Sequence, residues 1–351
     1  MRRGRRWLCL FLTVVFLGCI LQPSAAAASE TVHVYNAGVL GASASEKTPF
    51  EKYGRLSVKN GQLVGKNGKA VQLKGVSSHG MSWYPQYMNE DAMRTMRDQW
   101  GVEVVRLAMY TAEYNGYCTG DQANRQKLRK EIYEAVDAAQ KLGMYVIIDW
   151  HILSDGNPQT YQSQAKSFFQ TMAKRYREKD HVIYEICNEP NGGTSWVQIK
   201  KYAKSVIKTI RKYDKNGIII IGTPTWSQDV DRAAASPITG YQNLMYAVHF
   251  YADTHRDDLR AKVETAAEAG LPLFVTEYGI CDASGSGAIN QTEAKKWMKL
   301  LDRYKISSCI WNLSNKSETS ALLKPDCTKT SGWKSSDLSD SGKWFKKMMR
   351  G

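Results

Sequence analysis

The chain of 351 residues carries 48 Lys and Arg residues against 34 Asp and Glu residues, a formal net charge of +14 at neutral pH. The basic residues are dispersed among acidic ones and form no single basic run, so the charge argues against a nucleic-acid-binding protein. The seven cysteines include no CxxC pair, which excludes a zinc or redox motif of that type.

The first 28 residues have the three parts of a secretory signal peptide. A basic start with arginines at positions 2, 3, 5 and 6 precedes an apolar stretch over residues 7–21, and small residues follow up to Ala28. Residues 1–28 are therefore predicted to be removed during export, which makes the expected location secreted and extracellular. Two alternatives stay open here: residues 17–19 resemble a lipoprotein site, and the paired arginines resemble a twin-arginine signal.

Residues 29–49 are rich in Ala, Gly, Ser and Thr without periodicity, which predicts a flexible leader. Residues 50–351 have the length of one large domain and are predicted to form the catalytic unit. This part opens with a predicted β-hairpin over residues 56–64, because Asn60-Gly61 is a strong signal for a tight turn between two strands.

Strand and helix signals alternate through the rest of the chain. Strands are predicted at residues 71–76, 103–109, 144–150, 182–188, 218–222, 244–250, 273–278 and 307–313. Helices are predicted at residues 89–100, 122–141, 159–178, 196–213, near 229, 256–269, 292–304 and 339–349. Eight repeats predict the α/β class and a (β/α)8 TIM barrel with a small N-terminal β-hairpin. An open doubly wound sheet is the alternative, disfavoured because residues 75–80 do not form a GxGxxG loop.

Polar residues close the predicted strands, and in a barrel those strand ends build the active site. The fourth strand ends in Asn188-Glu189 and the seventh in Glu277. Two such carboxylates suit the cleavage of a glycosidic bond, since one can protonate the leaving oxygen while the other attacks the anomeric carbon or activates water. Arg106 lies inside an apolar strand, where we expect burial beside a carboxylate whose pKa its charge would lower; snorkelling to the barrel rim is the alternative.

Together these segments resemble the endoglucanases of glycoside hydrolase family 5 over about residues 54–344. The likeness is carried by an ordered set of motifs: His79-Gly-Met-Ser-Trp-Tyr84, Arg106-Leu-Ala-Met-Tyr110, Asp149-Trp-His151, Asn188-Glu189-Pro190, His249-Phe-Tyr251, Glu277-Tyr278-Gly279 and Trp311. The resemblance implies a (β/α)8 fold and retaining hydrolysis of β-1,4-glucan, with no cofactor and no metal in the chemistry. Retention would place the two carboxyl groups about 5–5.5 Å apart.

The resemblance also implies individual roles. Glu189 is expected to be the acid/base and Glu277 the nucleophile, while Arg106 and Tyr251 would hold the nucleophile. Asn188 would bind the 2-hydroxyl of the sugar being cleaved, and His249 would lie near the acid/base. Substrate-binding positions are expected at His79, Trp83, Tyr84, Tyr110, His151, Trp226, Trp311, Lys316 and Glu318.

The expected partner is a β-1,4-glucan, bound by a monomer with no nucleic-acid partner and no membrane partner after signal cleavage. A mannanase or xyloglucanase would use the same catalytic residues, and a non-catalytic carbohydrate-binding barrel is a third hypothesis. Only a short basic segment follows Trp344, which predicts no separate cellulose-binding module and favours soluble or amorphous glucan. A disulfide between Cys118 and Cys327 stays open. Cys187 is expected to face away from the site, because side chains alternate along a strand.

Overall fold

The computed structural model describes residues 47–350, so the predicted signal peptide and most of the predicted leader, residues 1–46, lie outside the described residues. The first helix, α1 (Pro49–Tyr53), begins with a capping box in which Thr48 and Glu51 bind each other's backbone N–H groups. Positions 48 and 49, predicted as leader, therefore belong to the folded part of the chain. Pro49 suits the first helical position because it has no N–H group to satisfy there.

The predicted hairpin is confirmed. Strands β1 (Ser57–Lys59) and β2 (Gln62–Val64) pair antiparallel across Asn60 and Gly61. Both turn residues have positive φ, 49° and 74°, as a two-residue turn of this kind requires. Val71 continues the hairpin by donating its N–H group to the carbonyl of Leu63. The first barrel strand for this reason begins later than predicted.

Eight parallel strands form a closed barrel, which confirms the predicted (β/α)8 fold. They are β3 (Lys74–Ser78), β4 (Val104–Tyr110), β5 (Tyr145–His151), β6 (Val182–Glu185), β7 (Ile218–Ile221), β8 (Leu244–Tyr251), β9 (Leu273–Gly279) and β10 (Ser307–Leu313). The barrel closes where β10 pairs with β3. Strand β6 ends at Glu185, three residues earlier than predicted.

Helices surround the barrel. They are α2 (Glu90–Thr95), which continues as a π-helical turn (Met96–Trp100), α3 (Gln122–Lys141), α4 (Gln162–Tyr176), α5 (Trp196–Arg211), the one-turn α6 (Pro224–Ser227), α7 (Val230–Ala235), α8 (Asp257–Glu268), α9 (Gln291–Tyr304) and α10 (Asp340–Arg350). None of the helices within residues 47–350 combines the length and the apolar character that crossing a membrane needs.

Two apolar cores hold the fold. The inner core fills the barrel with side chains such as Ile147, Ile220 and Phe274, and Leu63 of the hairpin closes it from below. The outer core lies between the strands and the helices and contains Cys187, which thus faces away from the barrel interior as expected. All five cysteines of the described part are free thiols, so the possible disulfide between Cys118 and Cys327 is not formed.

Candidate active site

A cleft of about 690 Å³ opens at the carboxyl ends of the barrel strands. Most of the predicted site residues line it: Glu189, Glu277, His249, Tyr251, His79, Trp83, Tyr110, His151, Trp226, Trp311, Lys316 and Glu318. A larger groove of about 920 Å³ lies beside the hairpin, at the amino ends of the strands, but neither carboxylates nor histidines line it. The ionisable groups that chemistry needs are therefore gathered in the cleft.

The two glutamates predicted from the strand ends face each other in the cleft. Glu277 lies in β9, and Glu189 follows β6 by four residues. One carboxylate oxygen of each lies within 4.8 Å of the other. Retaining glycoside hydrolases hold their carboxyl groups about 5–5.5 Å apart, whereas inverting ones need about 6.5–9.5 Å to admit a water molecule. The separation in this cleft matches the retaining arrangement.

Arg106 lies fully buried beneath the two glutamates. Its guanidinium contacts Glu277 Oε2 at 3.1 Å, as the sequence suggested, and Asp149 Oδ2 at 3.0 Å. It also binds both oxygens of Glu185, with Nε donating at 2.7 Å and Nη2 at 3.2 Å. Burial alone would raise the pKa of Glu185, but Arg106 and His249 together outweigh burial and lower that pKa to about 2. One cation thus lies against three buried carboxyl groups, although burial and the charges of Glu185 and Glu277 raise the pKa of Asp149 in spite of this contact.

Glu277 is held as a carboxylate by its neighbours. Burial favours the neutral acid, but the positive charges of His249 and Arg106 oppose it, and Tyr251 donates a hydrogen bond to Oε1 at 2.8 Å. The net effect lowers the pKa of Glu277. The ring of Tyr251 lies against Gly279, where a Cβ atom would overlap it, so the glycine of the Glu-Tyr-Gly motif lets the phenol reach the carboxylate.

The pKa of Glu189 is shifted in the opposite direction, upward. Its burial and the nearby negative charge of Glu277 raise its pKa, although a hydrogen bond with His249 Nδ1 at 2.9 Å acts in the other direction. A raised pKa favours the protonated form of a carboxyl, which is the form that can donate a proton. The site therefore contains one carboxyl suited to be an acid and one suited to be a nucleophile.

Two further buried residues, Glu185 and Thr276, complete this network. Thr276 Oγ1 lies 2.8 Å from His249 Nε2 and donates to Glu185 Oε1 at 2.7 Å. Both residues were missed in the sequence, although a signal was present. Glu185 is a charged residue inside an apolar strand, the same signal that drew attention to Arg106.

Asn188 lies fully buried behind the cleft wall and does not line the cleft. Its oxygen accepts from Arg106 Nη2 at 2.6 Å, and its Nδ2 donates to the Ile152 carbonyl at 3.0 Å. A second contact of Nδ2 reaches His151 Nε2 at 3.3 Å. One N–H group is therefore left for that long contact or for a sugar hydroxyl. The role of Asn188 at the 2-hydroxyl stays a prediction.

Aromatic and polar side chains form one side of the cleft. Trp83 packs on Tyr110 with ring centroids 4.6 Å apart, and Trp311 stacks on His151 at 5.3 Å. Beside them, Lys316 Nζ binds Glu318 Oε2 at 2.7 Å. Burial raises the pKa of Glu318, but hydrogen bonds, the largest of them from Lys316, outweigh burial and lower that pKa.

Tyr84, predicted as a substrate-binding residue, does not line the cleft. Its ring meets His79 edge-on at 4.9 Å and packs against the outer core. The short 3-10 turn Pro85–Tyr87 follows, and Tyr87 is buried in the same core. Tyr84 therefore supports the lining residue His79, and its contact with substrate stays a prediction.

Trp226 stands on the other side of the cleft with 46% of its surface exposed. It belongs to three consecutive residues with φ between 54° and 59°, Thr225, Trp226 and Ser227, a left-handed conformation that costs about 1–2 kcal/mol per residue. Two hydrogen bonds to backbone carbonyls of the acid/base loop hold this turn. Trp226 N donates to the Pro190 carbonyl at 3.0 Å, and the Ser227 hydroxyl donates to the Asn188 carbonyl at 2.6 Å. The turn thus ties the exposed indole to the segment that carries Glu189.

Several other cleft residues were missed, since they lie in loops without periodic pattern. They are Glu113, Leu153, Thr225, Gln228, His255, residues 283–285 and Ser320.

Glu189, His249 and Glu277 also have ligand atoms close enough together, within 4.8 Å, to meet a metal ion. His249 Nδ1 is already bound to Glu189, and both oxygens of Glu277 accept hydrogen bonds from Arg106 and Tyr251. Because the protein's own groups satisfy these atoms, we regard the three residues as a hydrogen-bonded set and not as metal ligands.

Comparison with known proteins identifies relatives across most of the chain. The model of the family described as "Cellulase (glycosyl hydrolase family 5)" matches residues 64–317. The chain is 52% identical over 299 residues to an endoglucanase of Clostridium saccharobutylicum, covering 85% of the chain and 65% of the relative. It is 46% identical over 294 residues to endoglucanase A of Butyrivibrio fibrisolvens, covering 84% and 68%. The chain thus spans about two thirds of the full length of these curated relatives.

Solved structures agree with these matches. The structure named cellulase Cel5C_n superposes with a TM-score of 0.84 at 42% identity, covering 87% of this chain and 95% of that one. The catalytic domain of Thermobifida fusca endoglucanase Cel5A gives a TM-score of 0.82 at 36% identity, covering 87% of this chain and all of that one.

We predict that Arg106→Met destabilises the protein in a pH-dependent way. At neutral pH the free energy of unfolding should fall by about 3–5 kcal/mol, because buried carboxylates lose their cation. The pKa of Glu185 is lowered from 4.5 to about 2 in the folded protein, so its contribution to stability is present above pH 4.5 and lost as the pH falls toward 2. The difference from wild type, measured by urea unfolding, should shrink over that range.

Arg177→Met is the control, since Arg177 pairs with Glu178 on the surface at 3.3 Å. That variant should stay within about 0.5 kcal/mol of wild type at every pH. A loss for Arg106→Met as small as the control's, or one independent of pH, would contradict the assignment.

Proposed function

The chain belongs to glycosyl hydrolase family 5, and from that membership we propose that it is a retaining endo-β-1,4-glucanase acting on cellulose and related β-glucans. The observation that carries the proposal is the pair of facing glutamates, whose oxygens lie within 4.8 Å and whose pKa values are shifted in opposite directions. Opposite shifts support Glu189 as the acid and Glu277 as the nucleophile.

In the first step, the Glu277 carboxylate attacks the anomeric carbon and forms a covalent ester with the sugar. The glycosidic bond breaks, and its oxygen leaves with the proton from Glu189. Arg106 and Tyr251 hold the nucleophile in place. The products are a shortened glucan and a glycosyl-enzyme.

In the second step, water completes the reaction. The negative charge of Glu277 has disappeared into the ester, so the repulsion that raised the pKa of Glu189 is gone. Glu189, now a carboxylate, takes a proton from the water molecule as its oxygen attacks the anomeric carbon. The ester bond breaks, Glu277 regains its charge, and the configuration at the anomeric carbon is retained after two inversions.

Cleavage inside a chain is supported by the shape of the site. Cleft residues extend from Trp83, after β3, to Trp226, after β7, with the two glutamates between them. Strands β3 and β7 lie on opposite sides of the eight-stranded barrel. A glucan can therefore cross the site with sugar units on both sides of the scissile bond, and indole faces suit stacking against sugar rings.

The relatives support β-1,4-glucan as the substrate class. The two curated relatives are named endoglucanases, and a variant of the Thermobifida fusca Cel5A domain was solved in complex with cellotetraose, with a TM-score of 0.81 at 35% identity. We also infer that the protein acts as a monomer on this polysaccharide, without nucleic-acid or membrane partners.

We further propose that the protein is secreted after removal of residues 1–28, because those residues carry the charge and hydrophobicity pattern of a signal peptide. N-terminal sequencing of protein recovered from the culture medium should begin close to Ser29. Retention of Met1 on cell-associated protein would contradict export.

The proposed monomer has its own test: light scattering of the mature protein should give the mass of a single chain.

Side-by-side assays on three polysaccharides test the substrate. Carboxymethylcellulose should release reducing sugar faster than mannan or xyloglucan, together with a rapid fall in viscosity, since internal bonds are cut first. Preference for mannan or xyloglucan would assign a sibling glycanase instead. Release from none of them would favour a binding module.

Glu277→Gly should abolish turnover, because no nucleophile remains. Azide should restore activity on an aryl β-cellobioside and give the α-glycosyl azide, the product of one inversion. Glu189→Gly is the matched control: it should lower kcat/KM on unactivated glucan about 10²–10⁴-fold and give the β-glycosyl azide. Identical azide products from the two variants would overturn the assigned roles.

A further inference from the structure

Four buried side chains, Glu189 in the loop after β6 and three others in strands β6, β8 and β9, form a continuous hydrogen-bonded series. Glu189 Oε1 meets His249 Nδ1 at 2.9 Å, and His249 Nε2 meets Thr276 Oγ1 at 2.8 Å. Thr276 then donates to Glu185 Oε1 at 2.7 Å, and the guanidinium of Arg106 binds both oxygens of Glu185. Thr276 and Glu185 are fully buried and do not line the cleft.

The proton count of this series fixes its direction. A threonine hydroxyl has one hydrogen to donate, and the Glu185 carboxylate can only accept. Thr276 therefore gives its hydrogen to Glu185, and its oxygen accepts from His249. Nε2 of His249 must in consequence carry a hydrogen. A carboxylate 3.8 Å behind that nitrogen also attracts positive charge to the ring.

The strand geometry is adapted to this contact. Thr276 and Glu277 are consecutive in β9, and regular alternation would send their side chains to opposite faces. The ladder between β8 and β9 shifts register between Ala247 and His249. Such irregularities re-aim side chains. As a result Thr276 reaches the imidazole of His249 while Glu277 reaches the cleft.

We propose that Thr276 and Glu185 are positioning residues for the acid/base, which hold His249 as an imidazolium whose Nδ1–H donates to Glu189 Oε1. This inference rests on the proposed function. Because Oε1 accepts from His249, the catalytic proton is placed on Oε2 of Glu189. The carboxyl then presents its proton outward, and the imidazolium stabilises the negative charge that Glu189 acquires.

The contact between the His249 imidazolium and Glu189 acts in the first chemical step. The glycosidic carbon–oxygen bond breaks, the proton on Glu189 Oε2 moves to the leaving oxygen, and the bond from Glu277 to the anomeric carbon forms. Glu189 becomes negative during that transfer, opposite the positive ring of His249. A leaving group that needs no proton does not use this assistance.

The electrostatic surroundings of His249 agree with this arrangement. Burial would lower its pKa, but the nearby carboxyl groups of Glu185, Glu189 and Glu277 together outweigh burial and raise it to about 9. The charged or titratable groups around the pair are Glu185, Glu277, Arg106, Asp149, His151, Tyr110, Tyr251 and His255.

Thr276→Val tests the inference, because valine keeps the shape of threonine and removes the hydroxyl. The ¹⁵N NMR titration midpoint of His249 should fall by about one to two units, the value of a hydrogen bond to a charged group. Above that lowered midpoint the ring is neutral and no longer lowers the pKa of Glu189, so the basic limb of kcat/KM should move to higher pH. Hydrolysis of cellotetraose should slow about tenfold or more, a fraction of what acid catalysis contributes, while glycosylation by dinitrophenyl β-cellobioside should be little changed.

Two further variants control the test. Thr276→Ser keeps a hydroxyl and should restore both the titration midpoint and the rate. Thr209→Val makes the same substitution in α5, where the largely buried hydroxyl binds only the Ser205 carbonyl, and should change neither.

Three results would overturn the inference: an unchanged His249 midpoint in Thr276→Val, equal slowing of both substrates, or a wild-type His249 that is neutral at pH 7. The last measurement needs no variant, so it holds even where Thr276→Val fails to fold. Absence of wild-type activity on either substrate would reject the proposed function, while the His249 titration would still test the hydrogen-bonded series.

Discussion

The guanidinium of Arg106 is the interaction on which the rest of the site depends. It lies fully buried and contacts the carboxyl groups of Asp149, Glu185 and Glu277, and it lowers the pKa values of the two glutamates, which the barrel interior could not hold charged without a cation. Its five donors form a planar fork that a lysine could not reproduce, since a single ammonium group cannot reach the same set of acceptors together. One side chain therefore holds both the nucleophile and Glu185, the carboxylate at the end of the hydrogen-bonded series that runs through His249.

From this shared cation the two glutamates acquire different properties. Glu277 receives direct bonds from Arg106 and Tyr251, so its charged form is stabilised. Glu189 receives no direct bond from the guanidinium, and burial and the charge of nearby Glu277 raise its pKa. The difference lies in which neighbours each carboxyl meets and not in the residue type. A proton donor and a nucleophile can thus stand within 4.8 Å of each other.

Much of this could be predicted from the sequence, and particular residues show where prediction stopped. Apolar strand runs with polar ends located both glutamates, because alternation of strand and helix fixes which end of the barrel they share. The position of Tyr84 beside His79, outside the cleft lining, was not predicted, because it depends on a local turn that has no periodic pattern in the sequence. Glu185 and Thr276 were missed because their contacts join three strands far apart in the chain. The left-handed turn at Trp226 was unpredictable for residues that rarely adopt it.

By itself, the sequence determined the barrel, its hairpin and the set of catalytic residue types, since these follow from hydrophobic periodicity and from motifs that are local along the chain. Only the tertiary structure decided how those groups act on one another. The separation of the glutamates, the sharing of Arg106 and the direction of the hydrogen bonds through His249 all depend on distances between strands. Electrostatic interactions and burial vary with those distances, and no local pattern in the chain encodes them.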